Sequence, residues 1–338
     1  MKHSYWFLLL FLGNGIAQAQ QRAQYSQYML NAYVLNPAVS GLEDFIDAKV
    51  GYRNQWSGLE GAPKTFYATA HGALDKADRT SSLAVRGPNG RPLPRPRVFR
   101  SQPAAPGHHG IGGMVLYDEM GPTYRTSLTI SYARHIPLNN RIKLSAGLGT
   151  GVTQHTIDFD RLHLLDPSDP VLQYGKQSVL MPDLSAGVLL YDPHFYVGLS
   201  ASQLLFKNIH YRTSGQSAYE WLGTLYNHYF LTAGYRFDVT EDWAFLPSLL
   251  VKSVRPVPLS YDVNAKFSYQ DRIWAGLSYR HKDAIVGLVG VNINYQINLG
   301  YSYDFTMSNL RNVSRGTHEI VIGIMLNNRQ RIICPRLF

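Results

Sequence analysis

Cysteine is almost missing from this chain. One residue in 338, Cys334, leaves nothing for an internal disulfide to join, so the fold rests on a packed core or on extended strand pairing. Long apolar runs are missing too. After residue 19 no stretch reaches the ~20 consecutive apolar residues of a membrane helix, which excludes a helical membrane bundle. Catalytic signals are equally scarce. No nucleophile elbow occurs, and the glycine-rich "GLGTGV" (147–152) lies inside an alternating strand, where small residues serve packing better than a phosphate. His108-His109 has neither a cysteine nor a spaced acidic partner to complete a metal site. The expectation is therefore no enzyme, no cofactor and no metal.

The N-terminus is informative. Lys2 precedes an apolar run from Tyr5 to Leu12, and Ala17-Gln18-Ala19 is a small-x-small cleavage site, so residues 1–19 read as a secretory signal peptide. Gln20 follows the site, so nothing there suggests a lipid anchor. Loss of Lys2 lowers the formal charge from +9 to +8. Export makes nucleic acid an unsuitable partner for this basic balance. Tyrosine (23) and glycine (29) are abundant, which suits strands and turns.

Alternation at period two runs through the chain. Leu184, Ala186, Val188 and Leu190 oppose Asp183, Ser185 and Gly187; beyond the turn Asp192-Pro193-His194, Phe195, Val197, Leu199 and Ala201 oppose Tyr196, Gly198, Ser200 and Ser202. Ile46, Ala48, Val50 and Tyr52 alternate with Asp47, Lys49, Gly51 and Arg53, and Tyr261, Val263, Ala265 and Phe267 with Asp262, Asn264 and Lys266. Segments 284–292 and 317–326 are apolar on both faces. Counted this way there are about fourteen strands, many approaching the ~9–11 residues that cross a bilayer obliquely. The apolar faces carry no charge and end in aromatic residues. A lipid-facing charge would cost roughly 2–4 kcal/mol at the midplane, so the pattern predicts an all-β protein, a transmembrane antiparallel β-barrel, over a soluble sandwich. Asp47, Lys49, Asp262 and Lys266 are then lumen-lining candidates, available for a solute pathway or for mutual pairing.

Connections alternate between short turns (137–140, 192–194, 238–242, 270–271) and long loops (156–178, 206–225, 306–315). Outer-membrane barrels have short periplasmic turns and long external loops, so both termini are expected in the periplasm. The exception is the long insertion 74–109. Between Arg79 and Arg100 it holds six arginines (Arg79, Arg86, Arg91, Arg95, Arg97, Arg100) with interleaved prolines and no acid. Such a run reads as a solvated insertion or as a basic arm that docks on an acidic periplasmic partner. The expected organisation is a plug-like or periplasmic segment 20–44, a barrel 45–326 and a periplasmic tail 327–338.

Two segments are more specific: "QYMLNAYVLNPAVSG" (27–41) and "GYRNQWSGLEGAPKTF" (51–66). With Asn36-Pro37-Ala38, Tyr52-Arg53-Asn54-Gln55-Trp56, Gly61-Ala62-Pro63, "PDLSAGV" (182–188), "HYFLTAGY" (228–235) and "LRNVSRGTHEI" (310–320), the chain resembles the PorP/SprF proteins of the Bacteroidetes type IX secretion and gliding apparatus. The resemblance implies a non-enzymatic protein of the cell outer membrane that helps secrete or anchor surface proteins such as adhesins. Its implied partners are the C-terminal domain of a secreted client, periplasmic secretion or motor components, and outer-membrane lipid. Arg53, Asn54, Gln55, Trp56, Gly61 and Pro63 are the candidates for shaping a client-facing first loop. A small-solute porin and a surface adhesin barrel remain the alternatives.

Overall fold

The computed structural model of the chain describes residues 23–75, 107–161, 175–205, 208–211 and 220–328. Within them the alternating segments are strands. They are β1 (Ile46–Asn54), β2 (Lys64–Leu74), β3 (His108–Met120), β4 (Thr123–Pro137), β5 (Lys143–Asp158), β6 (Lys176–Tyr191), β7 (Phe195–Ser202), β8 (Asn208–Tyr211) and β9 (Glu220–Thr224). The second half supplies β10 (His228–Tyr235), β11 (Phe237–Asp238), β12 (Trp243–Val254), β13 (Val257–Tyr269), β14 (Ile273–Arg280), β15 (Ala284–Asn292), β16 (Ile297–Thr306) and β17 (Thr317–Leu326).

Neighbours pair antiparallel. β1 also pairs with β17, and β10 pairs with both β7 and β12, so the sheet closes on itself. β11 continues the stave begun by β10, which makes the fifteen-stranded sheet a closed barrel of 14 staves. β8 and β9 form a separate hairpin within the connection between β7 and β10. Closure matters because lipid offers no hydrogen bonds to an open strand edge.

The barrel is apolar outside and polar within. On β1, Ile46, Val50 and Tyr52 are exposed, whereas Asp47, Lys49 and Arg53 are buried. The same inversion holds for Val197 and Leu199 against Tyr196 and Ser200. Aromatic pairs gather near both ends of the wall. Trp243–Tyr269 (4.9 Å) and Tyr235–Phe237 (4.5 Å) lie at one end, Tyr303–Phe305 (4.5 Å) and Tyr261–His281 (4.5 Å) at the other. They form the interfacial girdles of a membrane barrel.

Some boundaries differ from the sequence pattern. β4, β5 and β6 have 15, 16 and 16 residues, well beyond the alternating stretches 128–133, 142–152 and 183–190. Their extensions carry Thr153, Gln154, His155 and Thr156, so the ladder outlasts the apolar face that marks it in sequence. The insertion shrinks to 75–107, since Leu74 ends β2 and His108-His109 begin β3. Its six arginines lie outside the described residues, as do the proposed signal peptide and Cys334.

Residues 24–45 run through the interior, with 3₁₀ turns at Ala32–Val34 and Pro37–Val39. Tyr25, Tyr28, Met29, Tyr33, Val34, Leu35, Ala38, Val39 and Leu42 join one core with inward residues of the wall, among them Ala284, Val286, Leu288 and Val321. That contact explains why 284–292 and 320–326 are apolar on both faces, one side meeting lipid and the other this segment, whereas Thr317 and Glu319 keep the start of β17 polar inside.

Candidate functional site: the filled lumen and the loop rim

Inward glycines admit the interior segment. A Cβ at Gly147 would stand 2.5 Å from the Ala38 nitrogen, and one at Gly110 would stand 1.9 Å from the Ser40 oxygen. Only the missing side chain permits that approach. Polar groups of the wall then satisfy the segment's backbone. Ser200 Oγ donates to the Leu35 carbonyl (2.7 Å) and Ser145 Oγ to that of Ala38 (2.7 Å). His135 Nε2 and His108 Nε2 bond the carbonyls of Ser40 (2.8 Å) and Gly41 (2.9 Å), their rings stacked with centroids 4.3 Å apart. Asn36 caps its own turn by accepting from the Ala38 N–H (2.9 Å) while its amide donates to the Val188 carbonyl (3.0 Å). Asn31 donates to Thr69 Oγ1 (2.9 Å). Tyr28 meets Asn264, and burial pushes the Tyr28 and Tyr33 hydroxyls above their usual range, so both remain neutral partners.

An ionic cluster fastens the start of this segment. Strand register sets Arg53 opposite Glu319, and Asp262 opposite Arg280. Arg53 Nη1 donates to Glu319 Oε2 (2.9 Å) and Ser26 Oγ (2.7 Å), and its Nη2 donates to Asp304 Oδ2 (2.8 Å). Ser26 donates its N–H to Glu319 (2.8 Å) and its hydroxyl to Asp304 (2.7 Å). Gln27 Nε2 reaches the Glu319 carbonyl (2.8 Å). Arg280 bridges Asp262 (3.1 Å), Asp304 (3.2 Å) and Asp283 (3.3 Å). Two arginines thus tie three wall carboxylates, the turn carboxylate Asp283 and a serine of the interior segment into one network.

The first-loop candidates divide accordingly. Arg53 does not shape the loop surface: it lies within β1, 1% exposed, and points into the lumen. Asn54 ends β1. Gln55, Trp56, Gly61 and Pro63 occupy the connection to β2, where the Gln55 N–H donates to the Pro63 carbonyl (2.9 Å) and the Trp56 N–H to Thr317 Oγ1 (3.0 Å). Ser57 exchanges backbone bonds with Gly316 (2.7 Å) and Arg315 (2.8 Å), and Gly121 donates to Gly61 (2.9 Å). Positive φ at Trp56 (50°), Gly58 (92°) and Gly61 (68°) makes the loop's tight path. Loops 55–63 and 307–316 therefore form one braced rim.

The lumen candidates all point inward and are all buried. Asp47 pairs with Lys49. Asp262 pairs with Arg280 rather than Lys266, because register opposes those two, and Lys266 sits 5.2 Å from the Trp274 ring centroid. Sequence reading missed Ser26, Asp304 and Glu319 as partners of Arg53. The available signal was charge on the inward faces of strands that meet only once the barrel closes. Among the described residues no cluster of metal-ligating side chains occurs.

A closed antiparallel barrel with an apolar belt, two aromatic girdles and charges turned inward defines an outer-membrane β-barrel. The family model described as Type IX secretion system membrane protein PorP/SprF matches residues 17–324, and the chain belongs to that family. Comparison with curated proteins yields no significant match. Among solved structures, a Pseudomonas aeruginosa FadL homologue superposes with a TM-score of 0.50 at 10% identity, over 89% of this chain and 94% of that one. The Ralstonia pickettii toluene transporter TbuX gives a TM-score of 0.48 at 9% identity, over 88% and 93%. At such identity the likeness to the FadL homologue speaks for the barrel fold alone.

Proposed function

We propose that this protein receives and holds a secreted surface protein, such as an adhesin, at the outer membrane as part of type IX secretion or gliding. The observation that carries the reading is the latched lumen. Residues 24–45 occupy the interior and Arg53, Asp304, Glu319 and Arg280 fasten them there, so the braced rim of loops 55–63 and 307–316 is the surface left for a client. Gln55, Trp56, Gly61 and Pro63 are its anchor candidates, and the C-terminal domain of the client is the proposed occupant. The topology supports an outward orientation for this end: 159–175, 203–227 and 307–316 leave from it, whereas 138–142, 192–194, 270–272 and 293–296 turn at the other. Residues 1–19 are the proposed export signal, absent from the mature protein. The arginine-rich insertion joins the turn end between β2 and β3, where it would meet an acidic secretion or motor component in the periplasm.

A porin would need an open, charge-lined path. The inward charges pair with one another instead, which favours the holding role. The test is affinity purification of the tagged chain from native outer membranes, followed by mass spectrometry. A large surface protein and a secretion or motor component are expected together. Recovery of neither, from membranes in which the barrel is inserted, overturns the proposal.

A further inference from the structure

Outward charges on the described wall strands are few, with Lys64, Glu119 and Lys176 at the loop end and one arginine at the turn end. Outward residues of the wall are apolar or small through the belt, yet Arg134 of β4 points outward, its strand neighbours Ala133 and His135 being fully buried. Arg134 is three residues from the end of β4, at the turn end. Around it on the same face are Leu74, Ile111, Ile136 and Leu148, all exposed. Register places His109 directly across from Arg134, and Leu74 across from His109. A guanidinium Nη1 contacts His109 Nε2, while His109 Nδ1 contacts the Tyr132 hydroxyl, which is also on the outer face. No carboxylate pairs with Arg134 among the described residues.

A charge in this setting needs a counter-ion. The three polar groups are aligned along the wall and no acid among the described residues completes them, although every inward arginine of the lumen network has its carboxylate. At the level of Arg134 the wall passes from acyl chains to headgroups, since Tyr132 and the Tyr235–Phe237 and Trp243–Tyr269 pairs lie near the same end. Guanidinium matches phosphate through two parallel hydrogen bonds.

We propose that Arg134, His109 and Tyr132 form a headgroup site for an anionic phospholipid on the outer wall of the barrel. In the orientation proposed above this is the periplasmic leaflet. The guanidinium takes the phosphate and the Tyr132 hydroxyl supplies a second donor. His109 holds the other two in place, and the apolar side chains above them pack on the acyl chains. The site is independent of the client-facing rim, which lies at the opposite end of the wall.

The test uses the full chain purified in detergent, loaded with phosphatidylglycerol or phosphatidylcholine, and read by native mass spectrometry. Wild-type protein should retain phosphatidylglycerol in preference to phosphatidylcholine. Arg134→Gln should lower that retention about fivefold, the share of one basic residue near a membrane surface. Lys64→Gln, at the loop end, should leave it unchanged. Heat-modifiable gel mobility reports whether each variant is folded. If Arg134→Gln does not insert, Arg134→Lys is read instead: one point charge replaces the fork, so retention should fall part of the way. Millimolar inorganic phosphate should not displace the lipid, because the acyl chains contribute. Displacement would make this a free-phosphate site and overturn the lipid assignment. Equal retention of the two lipids by wild type, or of phosphatidylglycerol by wild type and variant, overturns the proposal outright.

Discussion

Arg53 is only 1% exposed, and Glu319 beside it is fully buried. Such burial is tolerated because each charge has both an opposite partner and further hydrogen bonds. Removing the cation alone strands Glu319 in a water-poor interior and leaves Asp304 to Arg280. Arg53→Ala should therefore destabilise the barrel by about 3–5 kcal/mol, seen as a lower temperature for the heat-induced gel shift and a lower denaturant midpoint in micelles. Arg53→Lys keeps the charge but cannot fork between Asp304 and Glu319, so its loss should be intermediate. An Arg53→Ala barrel as stable as the parent would show that the network holds nothing in place. The motif Tyr52-Arg53-Asn54-Gln55-Trp56 was conspicuous in sequence, but its first charge serves the interior and only its last two residues reach the loop.

Among elements, the interior segment has no regular secondary structure beyond two short turns, and it joins the molecule's largest buried cluster. It is held by side chains from many staves, so no single stave determines its position. Deleting residues 24–44 should leave a paired, inserted barrel that conducts ions in planar bilayers, where the full chain is silent. Gly147→Val should act in the same direction more weakly, because its Cβ meets the Ala38 backbone rather than a movable side chain. Equal conductance of the deleted and full chains would show that the segment does not seal the lumen.

For the whole molecule, fourteen staves place the two ends of the barrel chain at the same rim as the short turns. In a Cys334→Ser background, Glu60→Cys should react with an impermeant maleimide on intact cells. Asn140→Cys should react only after the envelope is permeabilised. The opposite pattern would invert the barrel and remove the loop rim from the cell exterior.

The fold was legible because a membrane barrel writes itself locally. Lipid forbids charge on one face and the pleat alternates faces at every residue, so Ile46 to Arg53 or Phe195 to Ser202 announces a stave without reference to any other segment. The two-sided apolar strands β15 and β17 carried a hint of the filled lumen as well. Partnerships inside the barrel were not legible. Asp262 faced Lys266 in the linear pattern, yet it pairs with Arg280 because the register of β13 on β14 opposes them. Arg53 finds Glu319 266 residues away only because β1 closes on β17. Alternation encodes which face a side chain takes; closure and register, which depend on every stave at once, decide whom it meets there.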